Sequence, residues 1–252
     1  MGERASYAPG SFCWADLSTP DAGAAKAFYR PLLGWEYESV PAGIDYTMAT
    51  VDGRVVAGLY EPESPGPPTW LSYVAVSDVE ASAARVGELG GSVAAGPVEI
   101  GPPGSMAVVA DPQGAHFALW QAGRRPGAAL VNDPGAMTLN QLNTPDPEAA
   151  QDFYAALFGW SFERQASERP YWGLFNDGTL NGGLMGLEPE GGAPPHWLVY
   201  FTSTDADGAV EVIGETGGTV VVPPFDVGEG RIVVALDPAG AAFGLFEGPV
   251  DP

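Results

Sequence analysis

Cysteine and histidine are nearly absent from this chain of 252 residues, which has one Cys and two His. The lone Cys13 leaves no partner for an intramolecular disulfide and fits a reducing compartment. So few thiolate and imidazole donors exclude zinc-finger and cysteine-rich metal sites. Basic residues are also scarce: ten Lys and Arg face 32 Asp and Glu, for a net charge of −22. Nucleic acids and anionic membranes bind a positive face, so neither is an expected partner. The charge suits solubility and favours cationic ligands. No apolar run approaches the about 18 residues of a membrane span. The opening, Met1-Gly-Glu-Arg-Ala-Ser6, lacks the apolar core of a signal peptide, so a cytoplasmic location is expected. Nucleophile elbows, phosphate loops and nucleotide fingerprints are missing too.

What the chain has is a repeat. Thr19-Pro-Asp-Ala-Gly-Ala-Ala-Lys-Ala-Phe-Tyr-Arg-Pro-Leu-Leu-Gly-Trp35 returns as Thr144-Pro-Asp-Pro-Glu-Ala-Ala-Gln-Asp-Phe-Tyr-Ala-Ala-Leu-Phe-Gly-Trp160, an offset of 125 residues. Between residues 12–38 and 137–163 there are 12 identities in 27 ungapped positions. Tyr46–Gly53 matches Tyr171–Gly178, Pro68–Tyr73 matches Pro195–Tyr200, and Asp111–Phe117 matches Asp237–Phe243. A self-match with a period of half the chain is a tandem domain duplication. Hydrophobic residues make up 45% of the sequence, enough for each half to bury its own core. The expected domains are 9–122 and 136–248, joined by a Gly/Pro/Arg-containing linker at 123–135.

Local signals give each half the order β-α-β-β-β, twice. Phe12–Leu17 alternates as a strand, with Trp14 and Asp16 on one face and Cys13, Ala15 and Leu17 on the other. Thr19 is a plausible N-cap, with Pro20 in the first turn. Ala24, Ala25, Phe28, Tyr29 and Leu32 form a helical apolar stripe that Gly34 closes. Strands are expected at 35–40, 46–51 and 54–60, with Asp52-Gly53 as a hairpin turn. After a Pro-rich loop at 61–68 come a strand at 71–76, a helix at 78–89 and strands at 92–100, 106–110 and 115–121. Gly101–Gly104 and Asp111–Gly114 are the turns of this last set. The second half repeats the pattern: strand 137–142, helix 146–158, strands 160–165, 171–176 and 179–185, a Pro-rich loop at 188–195, strand 197–202, helix 205–216 and strands 218–223, 231–236 and 241–246. Residues 1–8 read as a loose tail.

Paired β-α-β-β-β modules with a Phe-Tyr…Gly-Trp helix end and an Asp-Pro-x-Gly turn near the finish resemble the vicinal oxygen chelate superfamily. Its members include glyoxalase I, extradiol dioxygenases, fosfomycin resistance enzymes and bleomycin resistance proteins. The tandem form is similar to actinobacterial proteins described as hydroxylase-like or bleomycin-resistance-like. The resemblance covers about 12–121 and 137–247. It implies an α+β fold of two tandem glyoxalase-like domains, four modules in all, forming curved mixed sheets with helices on the convex side. Metal-dependent members hold an ion on the concave face through residues of four strands. The matching positions here are Trp14, Gly58, Leu71 and Ala118 in the first half, and Leu139, Gly183, Leu198 and Gly244 in the second. None of these side chains can donate to a divalent ion. The expectation is a protein without metal or other cofactor.

In place of a coordination site, each half is expected to present an apolar cup. Phe12, Trp14, Asp16, Tyr73, His116, Ala118 and Trp120 line the first; Leu139, Gln141 and Phe246 belong to the second. The small residues Gly58, Ala118, Gly183 and Gly244 argue that room remains inside. The leading reading is a binder of a small aromatic or apolar molecule, cationic in one version, with a role in sequestration, resistance or natural-product metabolism. The chain would act as a monomer with two pseudo-symmetric domains, or as a weak dimer. The alternative is an enzyme of the same superfamily with a shifted or metal-independent site, His116 and Asp16 serving as acid and base. A third is an interaction role with the cups closed. An open cup supports the first, a His116–Asp16 hydrogen bond the second and a filled cup the third. Trp35, Trp70, Trp160 and Trp197 recur in both halves and read as packing residues.

Overall fold

A computed structural model describes residues 2–41, 45–64, 66–167, 169–188, 192–228 and 230–250. Position 65 of the first Pro-rich loop and positions 189–191 of the second lie outside the described residues. The first half forms β1 (Phe12–Ser18), α1 (Ala22–Leu33), β2 (Glu36–Pro41), β3 (Asp45–Val51), β4 (Arg54–Tyr60), β5 (Thr69–Ala75), α2 (Val79–Glu88), β6 (Ser92–Gly101), β7 (Gly104–Ala110) and β8 (His116–Ala122). The second repeats it as β9 (Met137–Thr144), α3 (Pro147–Phe158), β10 (Ser161–Arg164), β11 (Tyr171–Asn176), β12 (Thr179–Gly186), β13 (His196–Thr202), α4 (Ala206–Glu215), β14 (Thr219–Val227), β15 (Gly230–Leu236) and β16 (Ala242–Glu247). Each half is one mixed sheet of eight strands, in the orders β2-β3-β4-β1-β5-β8-β7-β6 and β10-β11-β12-β9-β13-β16-β15-β14. The two modules of a half meet where their first strands pair antiparallel, β1 with β5 and β9 with β13.

The helix entry falls two residues later than the sequence suggests. Asp21, not Thr19, is the N-cap of α1, and its side chain accepts from the Ala24 N–H. Asp146, Asp78 and Asp205 cap the other three helices in the same way. A carboxylate at this place both satisfies a free N–H and meets the positive end of the helix dipole. The buried stripe of α1 is Ala22, Ala25, Phe28, Tyr29 and Leu33, while Ala24 is exposed. The Asp52-Gly53 and Asp177-Gly178 hairpin turns have positive φ at both residues, the conformation that matches the twist of the strands they join.

The duplicated motif is a reciprocal clasp between the halves. Tyr29 donates its hydroxyl to Asp237 at 3.3 Å and accepts from the Trp70 indole at 2.9 Å. Across the pseudo-twofold, Tyr154 donates to Asp111 at 3.0 Å and accepts from Trp197 at 3.0 Å. Trp35 donates to the Gly135 carbonyl at 2.7 Å, and Trp160 to that of Gly10 at 2.8 Å. Asp111 and Asp237 use their second oxygen to hold their own Asp-Pro-x-Gly turns through backbone N–H groups. The four recurring tryptophans are therefore packing residues, as expected, and they pack between domains. α1 lies against α4 and α2 against α3, while the central strands β5 and β13 also touch. The helix-bearing faces thus meet, and the opposite sheet faces turn away from each other.

Two expectations about the tail and linker change. Residues 2–4 are not loose: Glu3 bridges to Leu130, the Arg4 N–H donates to the Ala129 carbonyl, and Arg54 pairs with Glu3 at 2.6 Å. The linker in turn lies on the first sheet, where Ala128 and Ala129 donate to the carbonyls of Cys13 and Val55.

Candidate functional site

Strand register decides which side chains share the outward face of the first sheet. Trp14 is opposite Tyr73, and Tyr73 opposite Ala118. Asp16 is opposite Leu71 on one side and Gly58 on the other, and Gly58 faces Met48. Tyr46 faces Tyr60, and Met106 faces Trp120. Opposed residues point to the same side of a sheet, so these residues line one surface with Asp16 near its middle.

Asp16 is 3% exposed. Its Oδ2 accepts from the Tyr73 hydroxyl at 2.8 Å and from the Tyr46 hydroxyl at 3.1 Å. Tyr46 in turn accepts from the Trp14 indole at 3.1 Å and stacks on Tyr60 with centroids 6.0 Å apart. The other carboxyl oxygen, Oδ1, is buried without a hydrogen-bond partner. Burial pushes Asp16 up to about 7, with the two tyrosine hydrogen bonds pulling the other way. Burial and the neighbouring Asp16 charge hold Tyr46 and Tyr73 well above the usual tyrosine range, so both remain donors at neutral pH. Arg125 reaches in from the linker. Its backbone is tied to the β6–β7 turn through Pro103 and to the Trp120 indole, and its guanidinium donates to the Met48 sulfur at 3.3 Å.

The second sheet carries the same scaffold with the charge removed. Gln141 stands where Asp16 does, opposite Gly183 and Leu198, and donates to Asn143 at 2.8 Å. Leu139 faces Tyr200, which faces Gly244, and Phe246 continues that face. His196 is half-buried, with Nε2 3.3 Å from Asn143 Nδ2 and Nδ1 2.8 Å from the Pro194 carbonyl.

Three sequence expectations are corrected. Phe12 is not in the cup: the register slips between Phe12 and Trp14, and this bulge turns Phe12 to the domain interface, 5.0 Å from the Trp197 ring and 5.6 Å from Trp160. His116 does not pair with Asp16. It is exposed at the start of β8, its Nδ1 3.1 Å from the Gly114 carbonyl. The room expected at the glycines is taken by tyrosines. A Cβ on Gly58 would meet the Tyr46 hydroxyl, one on Gly183 the Tyr171 hydroxyl, and one on Gly244 the Tyr200 ring. Trp14, Asp16, Tyr73, Ala118 and Trp120 share this face. Tyr46, Tyr60, Met48, Met106 and Arg125 were missed. The Asp52-Gly53 hairpin alone would set Tyr46 opposite Leu59, but a bulge between Ala49 and Thr50 shifts the register by one and brings Tyr46 and Met48 opposite Tyr60 and Gly58.

Residues 136–245 match the Glyoxalase/Bleomycin resistance protein/Dioxygenase superfamily, and residues 14–120 match the Glyoxalase-like domain. "Putative glyoxylase CFP32" of Mycobacterium tuberculosis is 39% identical over 98% of this chain and 98% of its own. The anthracycline biosynthesis protein DnrV of Streptomyces peucetius is 35% identical over 96% of this chain and 94% of its own. Similar solved folds include the Mn(II)-bound glyoxalase of Novosphingobium aromaticivorans, with a TM-score of 0.67 at 16% identity over 95% of this chain and 82% of that one. Another is the trihydroxybiphenyl dioxygenase of Sphingomonas wittichii, with a TM-score of 0.68 at 16% identity over 97% and 92%. The chain belongs to the glyoxalase/bleomycin resistance protein/dioxygenase superfamily as a tandem two-domain member.

The metal that this family implies does not fit the residues present. The four positions in each half offer indole, aliphatic side chains or glycine, and the Tyr46 hydroxyl fills the space in front of Gly58. Among the described residues no three His, Cys, Asp or Glu are grouped as an ion would need. Nor, among them, is any helix long and apolar enough to cross a membrane.

Proposed function

We propose that this protein binds a small aromatic molecule, without a metal, in the cup of its first domain. The observation that carries the reading is the buried, unpartnered Oδ1 of Asp16 on a floor of Trp14, Tyr46, Tyr73 and Trp120. A carboxylate buried with an empty oxygen is costly, since an unmet acceptor alone costs about 1–3 kcal/mol. A cup that served only packing would carry an apolar or amide residue there, as the second cup does with Gln141 paired to Asn143. The aromatic walls suit a flat ring, and the empty oxygen suits a hydroxyl or amine hydrogen on it. The anthracycline biosynthesis names of relatives at 35% identity support a fused-ring natural product as the ligand class.

The cup is filled as it stands, the state set out above for the interaction reading, so binding requires Tyr46, which is half-buried, to swing aside. That breaks its bonds to Asp16 and Trp14. At about 1 kcal/mol each, opening weakens the apparent affinity by roughly 30-fold relative to an open cup. The test is native mass spectrometry of the protein isolated from its own host, paired with elemental analysis. One aromatic molecule and well under one equivalent of Zn, Ni, Fe or Mn are expected. A stoichiometric, chelator-resistant metal, or loss of the bound molecule on Gln141→Leu but not on Trp14→Ala, would overturn the proposal.

A second reading rests on the position of Asp16 near neutrality. A carboxyl that holds or releases a proton at physiological pH is suited to proton transfer. This reading requires turnover that Asp16→Asn abolishes while ligand binding survives.

A further inference from the structure

The first cup has two polar poles, and the second of them is Arg125. This side chain is half-buried in a protein with 32 carboxylates, yet among the described residues none forms an ion pair with it. Its donor goes to the Met48 sulfur instead, a weak acceptor for a guanidinium. The backbone of Arg125 is fixed on the second-module side, by the Trp120 indole and Pro103, while Met48 belongs to β3 of the first module. The side chain therefore lies across the mouth of the cup as a strap. Met48 and Asp16 are two strands apart in register, through Gly58, which sets the two poles about 10 Å apart in the plane of the sheet.

We propose that the ligand is a flat ring system with a hydrogen-bond donor at one end, for Asp16 Oδ1, and an anionic or carbonyl oxygen at the other, for Arg125. This rests on the binding site proposed above and adds its polarity. On binding, the guanidinium leaves the thioether for an oxygen with which it forms a charge-assisted hydrogen bond. Arg125 is then the residue that selects among flat aromatics, against the general preference of an acidic chain for cations.

The test uses a hydroxynaphthoic acid with its two groups at opposite ends of the rings, with naphthol and naphthalene as partial probes, titrated by tryptophan fluorescence on the full chain. In the wild type, the acid should bind more tightly than naphthol. Arg125→Met keeps the length of the side chain and the backbone contacts. It should weaken the acid by about tenfold and leave naphthol unchanged; Arg125→Lys should restore part of the loss. A tenfold change is about 1.4 kcal/mol. If Arg125→Met weakens acid and naphthol alike, or neither, the role of Arg125 is refuted while the binding site stands. If none of the three probes binds the wild type, the binding site itself is refuted, and the inference with it.

Discussion

Replacing Asp16 by Asn should remove a pH dependence of stability that the burial of this carboxyl produces. Burial raises the Asp16 carboxyl from 3.8 to about 7, while the unfolded chain releases the same proton near about 3.9. The folded state therefore holds the proton over a range in which the unfolded state gives it up. Stability is lost as pH rises from the unfolded value through the folded one. Below about pH 4 the group is protonated in both states and costs nothing; above about pH 7 it is ionised in both, and the whole penalty is in place. Three pH units at about 1.4 kcal/mol each make that penalty about 4 kcal/mol. Asp16 is 3% exposed, so solvent screening does not reduce it. The clean observable is the difference between wild type and Asp16→Asn from about pH 5 to pH 8, over which wild type should lose about 2–3 kcal/mol relative to the variant. The Asn carbonyl can still accept from Tyr73 and Tyr46. Its NH2 has no acceptor, which lowers the variant by a constant about 1–3 kcal/mol without touching the slope. Urea denaturation at fixed ionic strength, with equal m-values in both proteins, measures it. A difference that stays flat across the window, or that grows toward acid, refutes the burial argument.

The clasp and the plugged glycine make two further predictions. Tyr154→Phe removes the hydroxyl that donates to Asp111 and accepts from Trp197; it should cost about 1–3 kcal/mol by urea denaturation, and Tyr29→Phe should match it because the contacts are reciprocal. A loss below about 0.5 kcal/mol for both would show that the interface rests on apolar packing alone. Gly58→Ala drives a methyl into the place of the Tyr46 hydroxyl; it should cost about 1–3 kcal/mol and, by displacing Tyr46, should strengthen naphthol binding. Unchanged stability together with unchanged naphthol affinity would mean that Tyr46 is not what closes the cup.

Much of this molecule was legible before any coordinates. The ungapped repeat from Thr19 to Trp35 and Thr144 to Trp160 fixed the number of domains, because a duplicated sequence folds twice by the same local rules. Hydrophobic periodicity and the Asp-Gly turns placed all sixteen strands and four helices in order, since those signals act between near neighbours. Alternation put Trp14 and Asp16 on one face, and the same rule failed one residue pair earlier. A bulge is a choice of pairing with β5, and it sent Phe12 to the interface. The loss of family ligand positions to Trp14, Gly58, Leu71 and Ala118 was a matter of residue identity, visible in the sequence.

What filled the vacated space was a tertiary matter. Glycine at Gly58 reads as empty room until β3 pairs with β4 and lays the Tyr46 hydroxyl over it. His116 shares a strand face with Ala118 but sits at its exposed end, because alternation gives direction and not depth. The missing partner of Asp16 Oδ1 follows from how β1, β3, β4 and β5 converge. Arg125 crosses the cup only because the linker folds back on the first sheet. The sequence by itself determined the two domains, their elements and the absence of ligand side chains at the family's positions, all of which depend on residue type and near neighbours. Only the tertiary structure decided that the motif Tyr, Trp and Asp residues bind the halves to each other, and that one cup holds a buried carboxyl, because those facts depend on residues far apart in the chain meeting across a sheet and an interface.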